Sequence, residues 1–257
     1  MPLITLTTDF GLKDHYVALL KGSLLTNVEN VLVVDVTHFI QSFDIFQASF
    51  VMNEAKKKFP AGTIHLVGVN VFYQSHPEFI IVKENDQWFV GPDNGLFSLM
   101  WEELDSIKIW KIKSKNISAV ESIDETFVNA VIGIANKIAI EEFADLTTDI
   151  VRSALWNPII DQNYIRASII YFDQFENAIV NLRKEQFENA LKGRKFIIHV
   201  GNSEEFDEIS ESYADVQEGD KVCFFNSAGF LEIAINKGNA KGLLGLQLQD
   251  IIQIEFT

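Results

Sequence analysis

The chain has 257 residues, 47% of them hydrophobic and 12% aromatic, with 21 Phe against 5 Tyr and 4 Trp. That is enough apolar material for a packed core, and it excludes a disordered chain. The net charge of −15 and an isoelectric point near 4.7 repel phosphate backbones and anionic lipid, so neither nucleic acid nor a membrane surface is an expected partner.

The single cysteine, Cys223, lies in the apolar stretch Val222-Cys223-Phe224-Phe225. It cannot form an intrachain disulfide and reads as a small buried apolar residue. Pro2 to Thr8 is too short for a signal peptide, and no run of about 18 apolar residues is present. A cytoplasmic protein is expected.

Leu3 to Thr7 reads as a buried strand, broken at Thr8-Asp9-Phe10-Gly11. A helix is predicted from about Asp14 to Thr26, with Tyr16, Leu19, Leu20 and Leu24 at helical spacing and Asp14 as N-cap. Val31 to Val36 is a second strand. Ile45 to Phe59 is a second helix, closed by Lys56-Lys57-Lys58 and Pro60. Thr63 to Val69 is a third strand. This alternation predicts parallel strands with crossover helices. Asp9, Asp35 and Asn70 are placed at or just past strand C-termini, where open α/β sheets bind ligands.

Phe79 to Val82 and Trp88 to Val90 read as a hairpin around Asn85-Asp86, and Thr126 to Phe143 as a helix. Past Asn157-Pro158 the pattern changes. Tyr164–Phe172, Phe196–Val200, Val222–Asn226, Phe230–Ile235 and Ile251–Phe256 read as strands, with one helix near Lys184–Leu191. The expected fold is α/β: an N-terminal, mostly parallel sheet with flanking helices over residues 1–158, and a smaller antiparallel β-barrel over 159–257.

Several chemistries have no motif. There is no Gly-x-Gly-x-x-Gly or Walker loop, no Gly-x-Ser-x-Gly elbow, and no metal-ligand spacing among His15, His38, His65, His76 and His199. No metal is expected. Three segments are more suggestive. In Thr7-Thr8-Asp9-Phe10-Gly11, Asp9 either accepts hydrogen bonds from a ribose diol or caps the next turn. Asp173-Gln174-Phe175-Glu176-Asn177 either binds an ammonium and an aromatic base or is a polar turn. Asn226-Ser227-Ala228-Gly229 is a tight turn in which Gly229 is expected at positive φ.

Taken together and in this order, these segments resemble the S-adenosylmethionine hydroxide adenosyltransferases and their fluorinase and chlorinase relatives. Asp35-Val36-Thr37-His38 with Phe43-Asp44 and Gln47-Ala48, Gly62-Thr63-Ile64-His65-Leu66-Val67, Gly91-Pro92-Asp93-Asn94-Gly95-Leu96, and the segment Asn226 to Leu246 fit the same family. The likeness covers most of the chain. It implies an α/β domain, a C-terminal β-barrel, and a homotrimer with sites between neighbouring subunits. It implies that Asp9 holds the ribose hydroxyls, Asp173 the methionine ammonium, Phe175 and Asn177 the adenine, and Ser227 the methionine carboxylate. The ligand is then an adenosine-containing small molecule, with no cofactor beyond S-adenosylmethionine as substrate or ligand.

The departures fall on the catalytic residues. Hydrolytic members carry Asp-Pro-Gly-Val-Gly and then an arginine after the third strand. Here the chain reads Asn70-Val71-Phe72-Tyr73-Gln74-Ser75-His76-Pro77. Members show Thr-Phe-His-Gly-Arg-Asp further on; here it is Thr126-Phe127-Val128-Asn129. Asn70 cannot act as a carboxylate base and Val128 offers no proton. The expected function is S-adenosylmethionine binding, with hydrolysis to adenosine and methionine or with binding alone.

Overall fold

A computed structural model describes residues 1–101, 107–113, 126–154, 157–201 and 204–257. The chain divides into two compact units, Met1–Ala154 and Leu155–Thr257.

In the first unit the elements are β1 (Leu3–Thr8), α1 (Tyr16–Asn27), β2 (Leu32–Thr37), α2 (Ile45–Ala55), β3 (Ile64–Gly68), β4 (Phe79–Glu84), β5 (Gln87–Pro92), α3 (Leu96–Met100), β6 (Lys108–Ile112), α4 (Phe127–Ala135) and β7 (Ala144–Thr147). The sheet order is β2-β1-β3-β5-β4-β6-β7. β2, β1, β3 and β5 pair in parallel, and β4, β6 and β7 extend the sheet in antiparallel pairs. Directions therefore agree in β1, β2, β3, β5 and β6, while β4 and β7 run the other way.

Side-chain alternation splits the core in two. Ile4, Leu6, Ile64, Leu66 and Ile81 pack on one face with Leu20 and Leu24 of α1 and Val128 and Val131 of α4. Val67, Ile80, Val82 and Phe89 pack on the other face with Ala48 and Met52 of α2 and Phe97 of α3. β1 lies between β2 and β3 and is buried on both faces, so its threonines need partners. Thr5 Oγ1 meets His65 Nδ1 at 2.6 Å, Thr7 Oγ1 donates to Met52 Sδ at 3.0 Å, and Thr8 Oγ1 meets His38 Nδ1 at 2.8 Å.

Some local expectations are corrected. Asp14 does not cap α1; the N-cap is His15, without a side-chain bond. Tyr16 and Leu19 are exposed, and the inward face is Val17, Leu20 and Leu24. α2 starts as expected, with Asp44 accepting from Gln47 N at 2.9 Å, but ends at Ala55 and tightens into a 3₁₀ turn over Lys56–Lys58. α4 stops at Ala135 because Lys137 turns left-handed at φ 58°. The hairpin at Asn85-Asp86 is present, with φ of 48° and 59°, the twist a two-residue hairpin turn requires.

In the second unit the elements are β8 (Ile159–Ile160), β9 (Tyr164–Phe172), β10 (Ala178–Arg183), α5 (Lys184–Leu191), β11 (Phe196–Val200), β12 (Glu204–Phe206), β13 (Lys221–Phe225), β14 (Phe230–Ile235), α6 (Ala240–Leu243) and β15 (Ile251–Phe256). The strand order is β12-β11-β15-β9-β10-β14-β13, with β8 on β9, and every ladder is antiparallel. Ile165, Val180, Leu182, Ile198, Phe206, Cys223, Leu231 and Ile254 come from strands across the whole order yet share one core with Phe187 of α5. The sheet is therefore curled and barrel-like. The short helix α6 adds to the single helix expected here. β10 escaped the strand reading because its pattern is broken: the ladder shifts register between Ile179 and Val180, and Asn181 Oδ1 accepts from Ser168 N at 2.7 Å.

Candidate functional site

At the C-terminal edge of the parallel strands, Asp9 follows β1 directly. Its Oδ2 accepts hydrogen bonds from Phe43 N at 2.9 Å and Asn70 N at 3.1 Å. One carboxylate oxygen thus ties together the loops after β1, β2 and β3. Among the described residues the other oxygen, Oδ1, accepts nothing. Both donors sit at positive φ, Phe43 at 70° and Asn70 at 49°. For a phenylalanine that is costly backbone, the kind that clusters at functional sites. The Phe43 ring is exposed.

The loop after β5 joins the same edge. Asn94 Nδ2 donates to Val69 O at 3.0 Å and Asn70 O at 3.1 Å. Asp93, which is buried, accepts from Val151 N at 2.9 Å, and burial pushes its carboxyl above the usual range. Gly95 has φ 93°, and a Cβ there would overlap Ser153 Oγ. The Pro92-Asp93-Asn94-Gly95 loop is therefore fixed from both sides.

Asp35 is not at a strand end. It lies within β2, opposite Leu6. Lys21 Nζ is 2.6 Å from its Oδ2 and His38 Nε2 is 3.1 Å from its Oδ1. Desolvation raises the Asp35 carboxyl, but the hydrogen bonds from Lys21 and His38 outweigh it and the net shift is downward. The chain Lys21–Asp35–His38–Thr8 continues inward to Phe10 N, which donates to Thr8 Oγ1 at 3.3 Å. Thr8 is fully buried, so this chain braces the Asp9 turn rather than exposing a nucleophile.

Asn70 and Val128, which stand at the family's acid and histidine positions, offer no base. Asn70 engages through its backbone, donating to Asp9 and accepting from Asn94. Val128 is completely buried in the core beside Phe127, whose ring stacks on Phe79 at 5.2 Å. His76 is exposed, with Nδ1 3.2 Å from Ser75 Oγ.

In the second unit, Asp173 closes the turn between β9 and β10. Its Oδ1 accepts from Phe175 N and Asn177 N, both at 2.9 Å, and its Oδ2 accepts from Asn177 Nδ2 at 3.1 Å. Asn177 is buried, and its amide nitrogen also donates to Tyr213 Oη at 3.1 Å. Both amide hydrogens are thus committed. Phe175 is 74% exposed. The turn between β13 and β14 has Gly229 at φ 80°, as its sequence predicts. Asn226 Oδ1 accepts from Ala228 N at 3.0 Å and Phe230 N at 3.1 Å. Ser227 is exposed at the tip.

The sequence reading passed over the residues that join these two turns. Tyr213 donates to Glu232 Oε1, and Asn226 Nδ2 donates to Glu232 Oε2 at 3.1 Å. Glu232 is buried, and desolvation raises its carboxyl. The signal was available: Glu232 is a lone acid inside the apolar run Phe230–Ile235, and a buried acid needs partners. Among the described residues no group of His, Cys, Asp and Glu is placed to hold a metal ion, and no helix is long and apolar enough to cross a membrane.

Comparison with known proteins decides the family. Residues 4–144 match the SAM hydroxide adenosyltransferase N-terminal domain, and residues 167–253 match the C-terminal domain of the same family. The chain belongs to the SAM hydroxide adenosyltransferase family. It is 28% identical to an (R)-S-adenosyl-L-methionine hydrolase of Methanocaldococcus jannaschii, covering 100% of this chain and 97% of that one. A second protein of that name, from Thermus thermophilus, is 25% identical over 93% of this chain and 94% of its own. A fluorinase of Actinoplanes sp. is 22% identical over 91% of each chain. The crystal structure of an uncharacterized conserved protein from Thermotoga maritima superposes with a TM-score of 0.86 at 27% identity, covering 98% of this chain and 99% of that one. Membership in this family agrees with the resemblance read from the motifs, and the fold class agrees with it too.

Proposed function

We propose that this family member binds S-adenosylmethionine or a related adenosine ligand and hydrolyses S-adenosylmethionine slowly. Asp9 takes the ribose hydroxyls through its free oxygen. Asp173 takes the ammonium, Phe175 and Asn177 the adenine, and Ser227 the methionine carboxylate. The observation that carries the reading is a contrast. Asp9 keeps an open acceptor at the ligand edge of the sheet, while the histidine position is Val128, sealed in the core. Binding and base catalysis draw on different residues, so one can persist without the other.

In the reaction, water attacks the ribose C5′ and the C5′–S bond breaks. Methionine leaves with the electron pair on sulfur, and the attacking water loses a proton to solvent. Because the sulfonium is already a good leaving group, alignment and electrostatics supply much of the acceleration. Loss of general-base assistance removes about 10²–10⁴-fold in rate.

The same reading includes a cytoplasmic homotrimer. Leu12, Tyr16, Leu19, Phe39, Phe43 and Phe46 of the first unit are exposed apolar side chains that an interface would cover. Light scattering is expected to give three times the chain mass, and a monomer at micromolar concentration would remove the trimer.

The deciding experiment is calorimetric titration with S-adenosylmethionine and with adenosine, followed by chromatography for released adenosine and methionine. Binding with slow release is expected. Absence of binding sinks the reading, and rapid turnover sinks its slow-hydrolysis half.

A further inference from the structure

The acid in β14 touches no residue to which the proposed function gives a ligand, yet it stands at the junction of those that have one. Glu232 pairs across β14 with Ile179 of β10 and with Phe224 of β13, both apolar neighbours. An acid there is expensive unless every lone pair is used. Its two oxygens reach two different turns. Oε1 receives the Tyr213 hydroxyl, and through Asn177 that hydroxyl leads to Asp173. Oε2 receives the Asn226 amide, whose Oδ1 shapes the turn carrying Ser227.

Two branches of the network end on Glu232. Asn177 donates to Tyr213, and Tyr213 donates to Glu232; Asn226 donates to Glu232 with its amide nitrogen and accepts with its oxygen. Donors from two turns therefore converge on the Glu232 carboxylate, while Asn177 also donates to Asp173. Tyr213 is itself placed by a capped 3₁₀ turn, Ser212 accepting from Ala214 N at 3.2 Å, and by its ring edge on Phe224 at 4.8 Å. Burial raises both groups, and Asp173 adds to each.

We propose that Glu232 is a positioning residue that couples the 173–177 turn to the 226–229 turn, so that the adenine and ammonium contacts of the first turn and the carboxylate contact of the second are ordered together. This rests on the ligand assignment above for its consequence in binding, but the coupling itself is a property of the unliganded protein.

The test separates the two. Amide hydrogen exchange is followed by NMR in the full-length protein, without ligand, for the wild type, Glu232→Gln and Tyr213→Phe. In Glu232→Gln the amides of Phe175, Asn177, Ala228 and Phe230 are expected to exchange about tenfold faster together, as for a lost buried charged acceptor. The β9–β15 ladder should stay protected, which shows that the unit is folded. Tyr213→Phe should loosen the 173–177 amides and leave Ala228 and Phe230 near the wild-type rate. Acceleration confined to one turn in Glu232→Gln, or none, overturns the coupling.

Titration then reads the consequence. Adenosine and methionine, each titrated alone, should both bind about tenfold more weakly to Glu232→Gln. Tyr213→Phe should weaken adenosine through Asn177 and methionine through its Asp173 ammonium contact, while the Ser227 turn keeps its order. If the wild type binds neither, the ligand assignment has failed while exchange still decides the coupling. If both ligands bind Glu232→Gln as they bind the wild type, the proposed ordering of the site is overturned.

Discussion

The two candidate site regions use opposite means to hold a carboxylate. In the first unit Asp9 is held by backbone amides of loops 34 and 61 residues away in sequence, and only one of its oxygens is used. In the second unit Asp173 uses both oxygens within a five-residue turn, and order comes from a side-chain network ending on the buried Glu232. Backbone donors leave an acid free to serve a ligand and depend little on residue identity in the partner loops. A side-chain network is specific, and a single substitution can dismantle it. The first arrangement tolerates sequence change around the site, and the second makes particular residues hard to replace.

The largest effect is expected at Val128, which is sealed in the core of the first unit. Restoring a histidine by Val128→His puts an imidazole into packed apolar core. Overpacking and unpaired burial together should cost roughly 2–6 kcal/mol, with no gain in S-adenosylmethionine turnover. Denaturant unfolding and the chromatographic assay check both halves. A stable variant with accelerated hydrolysis would mean that position 128 still faces the reaction.

Acid should separate the units by sign. Burial holds His65 down to about 4, with Lys56 adding to the depression and Gln87 opposing it, against an ordinary 6.5. The folded state keeps His65 neutral while the unfolded chain protonates it. This contribution is therefore intact above pH 6.5 and lost as pH falls toward about 4, up to about 3 kcal/mol. Glu232 works the other way: its raised carboxyl costs more as pH climbs above the unfolded value. Unfolding measured from pH 7 to 4 should show a slope that His65→Gln flattens, and an unchanged slope would remove His65 as its source.

Asp9→Ala should weaken adenosine binding by about 1–3 kcal/mol, since a charged acceptor is lost. Asp9→Asn keeps an oxygen for the Phe43 and Asn70 amides, so it should retain the loop geometry and lose less affinity. Equal losses in the two variants would show that charge, rather than the loop clamp, is what the site needs from Asp9. Unchanged affinity in a folded Asp9→Ala would reduce Asp9 to a turn residue.

Much of this was legible in the sequence, for physical reasons that differ by element. The β1–α1–β2–α2–β3 alternation was readable because β1 and β3 are buried apolar runs, whereas β2 lies half-exposed at the sheet edge and α1 carries apolar side chains on more than one face. The hairpin at Asn85-Asp86 and the turn at Gly229 were readable because positive φ restricts residue choice. β10 was not, since a bulge and Asn181 disrupt its pattern. Helix ends were misplaced where a 3₁₀ turn or a left-handed lysine, rather than a proline, stops the helix. Glu232 stands out as a lone acid in an apolar strand, but Tyr213, Asn177 and Asn226 meet around it only through tertiary packing, so the junction itself was not legible. Asp35 misled because its strand continues to Thr37, so the acid faces Lys21 and His38 rather than the sheet edge.

The smallest effect is expected at Ser227, and there it is most diagnostic. Its side chain is exposed and makes no hydrogen bond among the described residues, while the turn beneath it is built by Asn226 and Gly229. Ser227→Ala should therefore leave the melting temperature unchanged, because neither the turn geometry nor the network below it uses the hydroxyl. If that hydroxyl serves the methionine carboxylate, S-adenosylmethionine affinity should fall by about 0.5–1.5 kcal/mol, the worth of one hydrogen bond, while adenosine affinity stays the same. The two ligands share everything but the amino-acid portion, so their ratio isolates the contact without a correction for stability. A parallel loss for both ligands would place the effect in the turn rather than in the hydroxyl. No loss for either would leave the carboxylate to another group and reduce Ser227 to the tip of a hairpin.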